Sequence, residues 1–245
     1  MITIPVYDMI ILPDIVYYFK SDVFQELHIE DAKKDDEVLF LILKEDKERV
    51  EITADDFYPI GVRGKFLSSD DNGTISVRTT DRVNIMQAEV DDTGIHASIT
   101  LREDMEDLSP EERKERYGKL RDSLLKFVQG FQWGIMARGY ILHWKSMEET
   151  VSSLAGYLSL TSEEKYEILA EDQISVRTDL MERAVYEFME ITRVGQEAEN
   201  EQVESHEKVY REDAIKKQID FLQRQLDEMH PENVSDIRKF ENKIK

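Results

Sequence analysis

The chain contains no cysteine among its 245 residues. This absence excludes a disulfide framework and any thiol chemistry, and it is typical of a reducing compartment. We therefore expect a cytoplasmic location. The length is sufficient for one or two domains with at least one hydrophobic core.

Basic residues are scarce relative to acidic ones. The 32 lysines and arginines stand against 53 aspartates and glutamates, which gives a formal net charge of −21 at pH 7. Such a charge repels phosphate backbones, so we expect no nucleic-acid partner, and it favours solubility at high concentration. A composition shared by the whole lineage explains the same acidity equally well.

No hydrophobic run is long enough for a membrane helix. The first thirteen residues, MITIPVYDMIILP, lack a basic region and carry Asp8 and Pro13, so they are not a secretory signal. The most apolar stretch, 124–144, is interrupted by polar residues. These are Lys126, Gln129, Gln132 and Arg138. We predict buried bundle helices there, and no membrane partner.

Catalytic and metal-binding patterns are also lacking. The five histidines, at 28, 96, 143, 206 and 230, have no metal-ligand spacing. Gly64-Lys65 has Pro59 where a phosphate-binding loop needs its first glycine. Ser162 and Lys165 match a nucleophile–lysine pair, but their place in a glutamate-rich first helical turn favours capping. We predict no catalytic residue, no metal site and no cofactor in this chain.

Residues 1–107 are predicted to form a β-rich domain. EVLFLILKE (37–45) is a nearly continuous apolar run, as in a buried strand. Further strands are predicted for Ile2–Val6, 57–67, 74–90 and 95–101, where β-branched residues are frequent. DDNG (70–73) and DDTG (91–94) indicate hairpin turns, and a helix is predicted around Asp22–Ala32. Together these elements predict a small, partly closed barrel or a curled sheet.

From Ser109 onward the sequence predicts only helices. Ser109 with Glu112, and Thr161 with Glu164, have the spacing of capping boxes. The expected helices cover 110–130, 134–144, 147–158, a segment after Thr161, and Val176 to about Met229. The fold class is therefore α+β. Its predicted parts are a β domain (1–107), a helical bundle (108–196), a long helix extending from it (176–229) and a polar linker (230–245).

The last predicted helix carries an apolar seam near its end. Its members step by four, three, four and three residues, a spacing typical of helix packing. They are Ile215, Ile219, Leu222, Leu226 and Met229. The preceding segment, 192–208, is almost wholly polar and is either a solvent-crossing helix or a disordered break. We predict the helix, because no proline interrupts it.

Four stretches, in the right order, resemble the N-terminal region of Lon-type ATP-dependent proteases. In 4–17 the matching residues are Pro5, Asp8, Leu12 and Pro13, although the usual arginine at Tyr7 and glycine at Asp14 are absent. In 60–85 they are Gly61, the Asp-Asn-Gly turn, Val77 and Arg82, with Thr79 in place of a glycine. In 158–177 they are Glu163, Glu164, Lys165, Leu169 and Arg177.

The fourth stretch is the most specific. It follows the family pattern Arg-Glu-x-x-Leu-x-x-Gln-Leu-x-x-Ile-Gln-x-x-Leu across residues 211–226, with Asp213 and Ala214 in place of two tyrosines. The resemblance implies a PUA-like β domain, a helical bundle and a long helix leading to an AAA+ ATPase. It also implies a Ser-Lys protease domain beyond the ATPase. We expect that neither domain lies in this chain, and that ATP and Mg²⁺ bind only in the missing ATPase.

The leading hypothesis is a non-catalytic module that recognises substrates and supports assembly of a hexameric protease. Its partners are expected to be unfolded or degron-bearing proteins, neighbouring subunits and the protease's own catalytic domains. Exposed apolar and aromatic side chains suit such recognition, although core packing is the alternative for each. The candidates are Met9, Ile10, Ile11, Tyr17, Tyr18, Phe19, Phe131, Trp133, Met136 and Trp144. The seam Ile215–Met229 is the expected assembly surface. The alternative function is a stand-alone regulatory or ligand-binding protein.

Overall fold

The computed structural model describes residues 1–20, 32–70, 74–91 and 94–229. Its strands are β1 (Ile2–Val6), β2 (Val16–Lys20), β3 (Glu37–Ile42), β4 (Ile60–Ser69), β5 (Thr74–Asp91) and β6 (Gly94–Leu101). Its α-helices are α1 (Pro110–Val128), α2 (Gly134–His143), α3 (Met147–Leu154), α4 (Ser162–Ala170) and α5 (Ile174–Met229). The chain divides into two compact units, Met1–Glu190 and Ile191–Lys245.

The six strands form one mixed sheet, in which β1, β3, β4, β5 and β2 are neighbours in the order β1-β3-β4-β5-β2. Strand β6 also pairs with β5, along a part of β5 that does not pair with β2. Strands β1 and β3 are parallel, and the other pairs are antiparallel. The pairings among the described strands form an open path, so the predicted curled sheet is confirmed and a closed barrel is not formed. Strand β2 was not among the predicted strands.

Strand β3 is buried on both faces, as its apolar run predicts. Because side chains alternate along a strand, its residues divide between two core clusters. Val38, Phe40 and Ile42 join the larger cluster, which includes the helices. Leu39 and Leu41 join a smaller cluster on the opposite face of the sheet.

Both hairpin predictions fall partly outside the described residues. The tips, 71–73 and 92–93, are not described, but the strands that flank each tip pair antiparallel. The amide of Thr74 donates to the carboxylate of Asp70 over 2.7 Å, which closes the first turn. The predicted helix around Asp22–Ala32 also falls on residues 21–31, outside the described part of the chain.

The helices begin where their capping residues predict. Ser109 and Glu112 form a capping box before α1, with Pro110 at its first position, and Thr161 and Glu164 form another before α4. Helix α3 ends at Leu154 rather than near 158. Residues 192–208 are helical, as predicted for the polar segment.

A bulge in β5 decides which face its later residues occupy. Arg63 pairs with Asp81 and the next residue, Gly64, pairs with Thr79, so Thr80 is an extra residue in the ladder. An extra residue reverses the alternation of side chains beyond it. Val77 accordingly lies in the larger cluster with the helices, whereas Val83 lies in the cluster on the opposite face.

The same bulge directs Arg82 toward the helical layer. This side chain is 2% exposed, and its guanidinium donates to the carbonyls of Leu169 and Glu171 over 2.8 and 2.9 Å. It also forms ion pairs with Asp104 and Asp172. A buried arginine needs such partners, because an unpaired charge away from water is strongly destabilising.

Two further arginines complete the network around the buried Arg82 guanidinium, whose aspartate partners are partly exposed. Arg102 binds both carboxylate oxygens of Asp172 over 2.7 and 2.6 Å, and Arg177 binds both oxygens of Asp104 over 3.0 and 2.6 Å. Burial raises the pKa of both carboxyls, but the hydrogen bonds and charges of the arginines outweigh it. The pKa of Asp104 and of Asp172 therefore lies below its ordinary value.

We predict that Arg82→Met lowers the free energy of unfolding by about 3 kcal/mol, because it removes a buried charge and its hydrogen bonds to the Leu169 and Glu171 carbonyls. Wild-type stability should also fall as the pH drops below about 4. The depressed pKa values of Asp104 and Asp172 mean that the unfolded chain binds their protons more readily. This acid-dependent loss should be smaller in Arg82→Met. Urea denaturation from neutral to acidic pH measures both effects.

The matched control is Arg63→Met. Arg63 pairs with Asp81 over 2.8 Å, but both side chains are partly exposed. The expected cost is about 1 kcal/mol or less. Equal losses of unfolding free energy in the two variants would contradict the expectation that the buried Arg82 contributes more than the partly exposed Arg63.

Candidate protein-binding surface

Three of the predicted contact residues lie in the core. Ile10 and Ile11 are each 1% exposed and Tyr17 is 8% exposed, so a chain bound at the surface cannot reach them. The hydroxyl of Tyr17 lies 3.0 Å from the Ile10 carbonyl and 2.9 Å from the Ser152 hydroxyl, and it accepts from the Leu12 amide. Burial raises its pKa well above the ordinary value. These three residues therefore pack in the core, and the prediction that they contact a partner at the surface is wrong.

The remaining candidates of the β half differ in exposure. Met9 and Phe19 are half-buried and pack against the larger core cluster. Tyr18 is 73% exposed on β2, because alternation turns it away from its buried neighbour Tyr17. Contact between Tyr18 and a partner stays a prediction.

The candidate contact residues in the helical part also differ in exposure. Phe131 and Trp144 are half-buried, and the Trp144 carbonyl accepts from the Tyr117 hydroxyl over 2.6 Å. Trp133 and Met136 are exposed, at 43% and 71%. The exposed pair lies at the start of α2, where a larger apolar surface begins.

Helix α2 exposes three apolar residues that were not among the predicted contacts. Ile135, Tyr140 and Leu142 are 90%, 67% and 53% exposed. At about 100° per residue, they share one broad face with Met136. Its opposite face is narrow and holds the buried residue Ile141. We name the exposed set Ile135, Met136, Tyr140 and Leu142 the α2 surface.

The sequence contained a signal for this surface that the prediction of buried helices overlooked. Apolar residues occur on nearly every side of α2, whereas a helix on a protein surface usually has one apolar stripe. Full burial was one explanation of that pattern. The structure shows a different explanation, in which one side of α2 packs on the core and its remaining apolar residues contact solvent.

A glycine fixes the position of α2 against α1. A β-carbon built at Gly134 would lie 1.8 Å from the carbonyl oxygen of Val128, at the end of α1. Glycine alone permits this approach of the two backbones. The start of α2 therefore lies directly against the end of α1, and Gly134 permits this placement.

Aromatic rings border the start of α2. Phe131 stacks on Trp133 with ring centres 4.7 Å apart, and Phe127 lies 4.8 Å from Phe131. Phe188 of α5 contacts the edge of Phe127 at 6.0 Å. Such contacts stabilise ring positions beyond simple burial. The exposed part of Trp133 thus extends the apolar α2 surface with a fixed aromatic edge.

A second glycine lies in the middle of the exposed face. A β-carbon at Gly139 would meet no atom within 4 Å, so packing does not require glycine there. On the helix surface it lies between Ile135 and Leu142 on one side and Met136 on the other. The face consequently has a shallow trough over bare backbone, lined by apolar side chains.

The seam residues are all exposed. Ile215, Ile219, Leu222 and Leu226 lie between 48% and 54% exposed, and Met229 is 67% exposed. All belong to α5 and follow helical spacing. The structure therefore presents an apolar helix face available for packing, and its role in assembly stays a prediction.

The residues that resembled a nucleophile–lysine pair have a structural role. Lys165 is 4% exposed and donates to the carboxylate of Asp8 over 2.8 Å and to its carbonyl over 3.2 Å. Ser162 donates to the same carboxylate over 3.2 Å. Both thus attach α4 to the segment after β1.

Across 1–20, 32–70, 74–91 and 94–229, no cluster of histidine, aspartate and glutamate is arranged to hold a metal ion. Over the same ranges no helix is both long and apolar enough to cross a membrane.

The fold is α+β, with a mixed sheet, a helical layer and an exposed apolar helix. A family model described as "ATP-dependent protease La (LON) substrate-binding domain" matches residues 1–185. The chain belongs to this family. The matched description is that of a substrate-binding domain of an ATP-dependent protease.

Individual relatives carry the same family name. The chain is 23% identical over 229 residues to a Lon protease of Clostridium beijerinckii, covering 92% of this chain and 29% of that protein. The N-terminal domain of a Mycobacterium avium complex Lon protease has a TM-score of 0.49, 16% identity, and coverage of 75% of this chain and 96% of its own. The corresponding values for the Lon N-terminal domain protein of Xanthomonas campestris are 0.42, 17%, 72% and 93%.

We predict that Gly134→Ala lowers the free energy of unfolding by about 2 kcal/mol, because the new methyl group collides with the Val128 carbonyl. The shift of α2 should also change the fluorescence emission of Trp133. Gly139→Ala is the matched control. It adds the same methyl group in open space and should stabilise the helix by about 0.5 kcal/mol. Similar urea midpoints for both variants would contradict the close approach at Gly134.

Proposed function

We propose that the chain is the substrate-recognition and assembly module of a Lon-type ATP-dependent protease, and that it captures unfolded or degron-bearing proteins. The observation that carries this proposal is the exposed α2 surface, whose residue Ile135 is 90% exposed. Unfolded chains present apolar segments that folded proteins bury. A contiguous apolar patch that stays exposed on a folded protein marks an interaction site.

The build of the site supports capture of varied sequences. Methionine and tyrosine accept partners of different shape, because methionine is flexible and tyrosine combines an apolar ring with a polar hydroxyl. The trough at Gly139 lets an extended segment lie close to the helix backbone. These features recognise apolar character in general rather than one sequence.

The proposal assigns ATP and Mg²⁺ binding and the Ser-Lys chemistry to other domains of the protease. The present domain would hold a substrate while the ATPase unfolds it. The cytoplasmic location expected from the sequence remains a prediction.

A triple variant tests capture by the α2 surface. Ile135→Ser, Met136→Ser and Tyr140→Ser together should weaken binding of a chemically reduced and alkylated protein by at least about tenfold, because they remove most of the apolar contact area. The free energy of unfolding should change little, since all three side chains are exposed. Fluorescence anisotropy of the labelled unfolded protein measures binding, and urea denaturation measures stability.

A control variant removes exposed apolar groups from the β half. Val50→Ser, Met86→Ser and Leu101→Ser alter side chains that are 90%, 66% and 56% exposed. Binding should stay at the wild-type level in this control. If both variants lose binding equally, capture does not depend on the α2 surface.

The seam of α5 is the proposed assembly surface, on which copies would pack as a coiled coil and support a hexamer. Ile219→Asp and Leu226→Asp together should lower the average mass in sedimentation equilibrium at high protein concentration, because charges replace the apolar contacts. Tyr210→Asp and Phe221→Asp form the control. These residues are 71% and 60% exposed but lie on a different side of the helix. A wild-type chain that stays monomeric at high concentration contradicts self-assembly through the seam.

A further inference from the structure

The segment that forms the α2 surface has an unusual charge composition. Between Asp122 and Glu148 the sequence contains no acidic residue, although the whole chain has a net charge of −21. The same segment contains three basic residues, Lys126, Arg138 and Lys145. The apolar surface therefore lies in a locally basic part of a strongly acidic protein.

One of these charges, Arg138, lies beside the apolar residues of the α2 surface. Arg138 follows Ile135 by three positions and precedes Leu142 by four, the spacings at which side chains are neighbours on a helix. It is exposed, and Lys145 is exposed just beyond the end of α2. Within the part of the chain that the structure describes, neither Arg138 nor Lys145 forms an ion pair.

The exposed face also carries a polar ring between its apolar edges. His143 lies on this face one turn beyond Gly139, and its Nδ1 donates to the Gly139 carbonyl over 2.6 Å. Its imidazole is therefore fixed beside the trough and adds no negative charge. No carboxylate of α2 itself faces a bound chain, because α2 contains none.

We propose that the α2 surface selects apolar segments flanked by acidic residues over apolar segments flanked by basic ones. This inference rests on the proposed function and specifies the class of substrate that the same surface takes. Apolar side chains of the segment contact Ile135, Met136 and Leu142, while its carboxylates pair with Arg138 and Lys145. Complementary charges around an apolar contact give selectivity through both attraction and rejection of the wrong sign.

This preference is opposite to the one that overall charge predicts. A body of net charge −21 attracts basic peptides at long range, so nonspecific binding would favour lysine-rich segments. Local pairing acts over shorter distances and dominates once the segment is in contact. The two explanations therefore predict opposite orders of affinity.

The experiment uses two synthetic peptides that share one apolar, aromatic core. One is flanked by glutamates and the other by lysines, and binding to the full chain is measured by fluorescence anisotropy. The glutamate peptide should bind about fivefold more tightly at low salt, as a few exposed ion pairs provide. The difference should disappear at high salt, where exposed charges are screened.

A charge-reversal variant locates the selectivity. Arg138→Glu and Lys145→Glu together should reverse the preference between the two peptides. Lys208→Glu and Lys217→Glu change the net charge by the same amount at exposed sites on α5, so they should leave the preference unchanged. Equal effects of both variants would show that net charge governs binding, which overturns the inference.

The outcomes separate this inference from the proposed function. If both peptides bind equally, or the lysine peptide binds more tightly, the charge selectivity is wrong and capture by the α2 surface stands. If neither peptide binds, or if the α2 triple variant binds them as the wild type does, the proposed function itself fails.

Discussion

The buried guanidinium of Arg82 is the interaction on which the arrangement of sheet and helices depends. It joins β5 to the end of α4 through the Leu169 carbonyl and to the connection between α4 and α5 through the Glu171 carbonyl and the Asp172 carboxylate. It also pairs with Asp104, in the segment between β6 and α1. The extra residue Thr80 is what turns this side chain toward the helical layer. Without the bulge, Arg82 would face the smaller core cluster, which is built from apolar side chains such as Leu39 and Leu41. One added residue thus fixes both the register of the sheet and the docking of the helices.

Packing of the helices in turn presents the α2 surface. Gly134 holds α2 against the end of α1, and the rings of Phe127, Phe131 and Trp133 support its first turn. A surface on a supported helix is already ordered before a partner arrives, so binding requires little loss of conformational entropy on this side of the complex. That property suits the proposed capture of unfolded chains, because only the bound chain would then have to become ordered.

Local patterns in the sequence were sufficient for most of the elements, although not for β2, and were insufficient for their exposure. Capping boxes predicted the starts of α1 and α4, and the apolar run predicted the position of β3, because these features depend on neighbours in the sequence. Burial of Ile10, Ile11 and Tyr17 depends on helices that follow more than a hundred residues later, as the contact with Ser152 illustrates. Exposure of Ile135 was missed for the same reason, since an apolar helix is equally consistent with full burial.

Asp14 and Thr79 stand where the family pattern has glycine, and the sequence alone did not show how the fold accommodates them. Asp14 adopts a φ of 61°, a left-handed conformation that aspartate tolerates better than most residues. Thr79 instead forms hydrogen bonds from its buried hydroxyl.

An exposed apolar helix also makes a protein prone to associate with itself, and the charge of −21 opposes this by mutual repulsion of the copies. The acidity of the chain thus acts as a colloidal stabiliser, which keeps the α2 surface open to partners at neutral pH and ceases to do so near the isoelectric point of about 4.7.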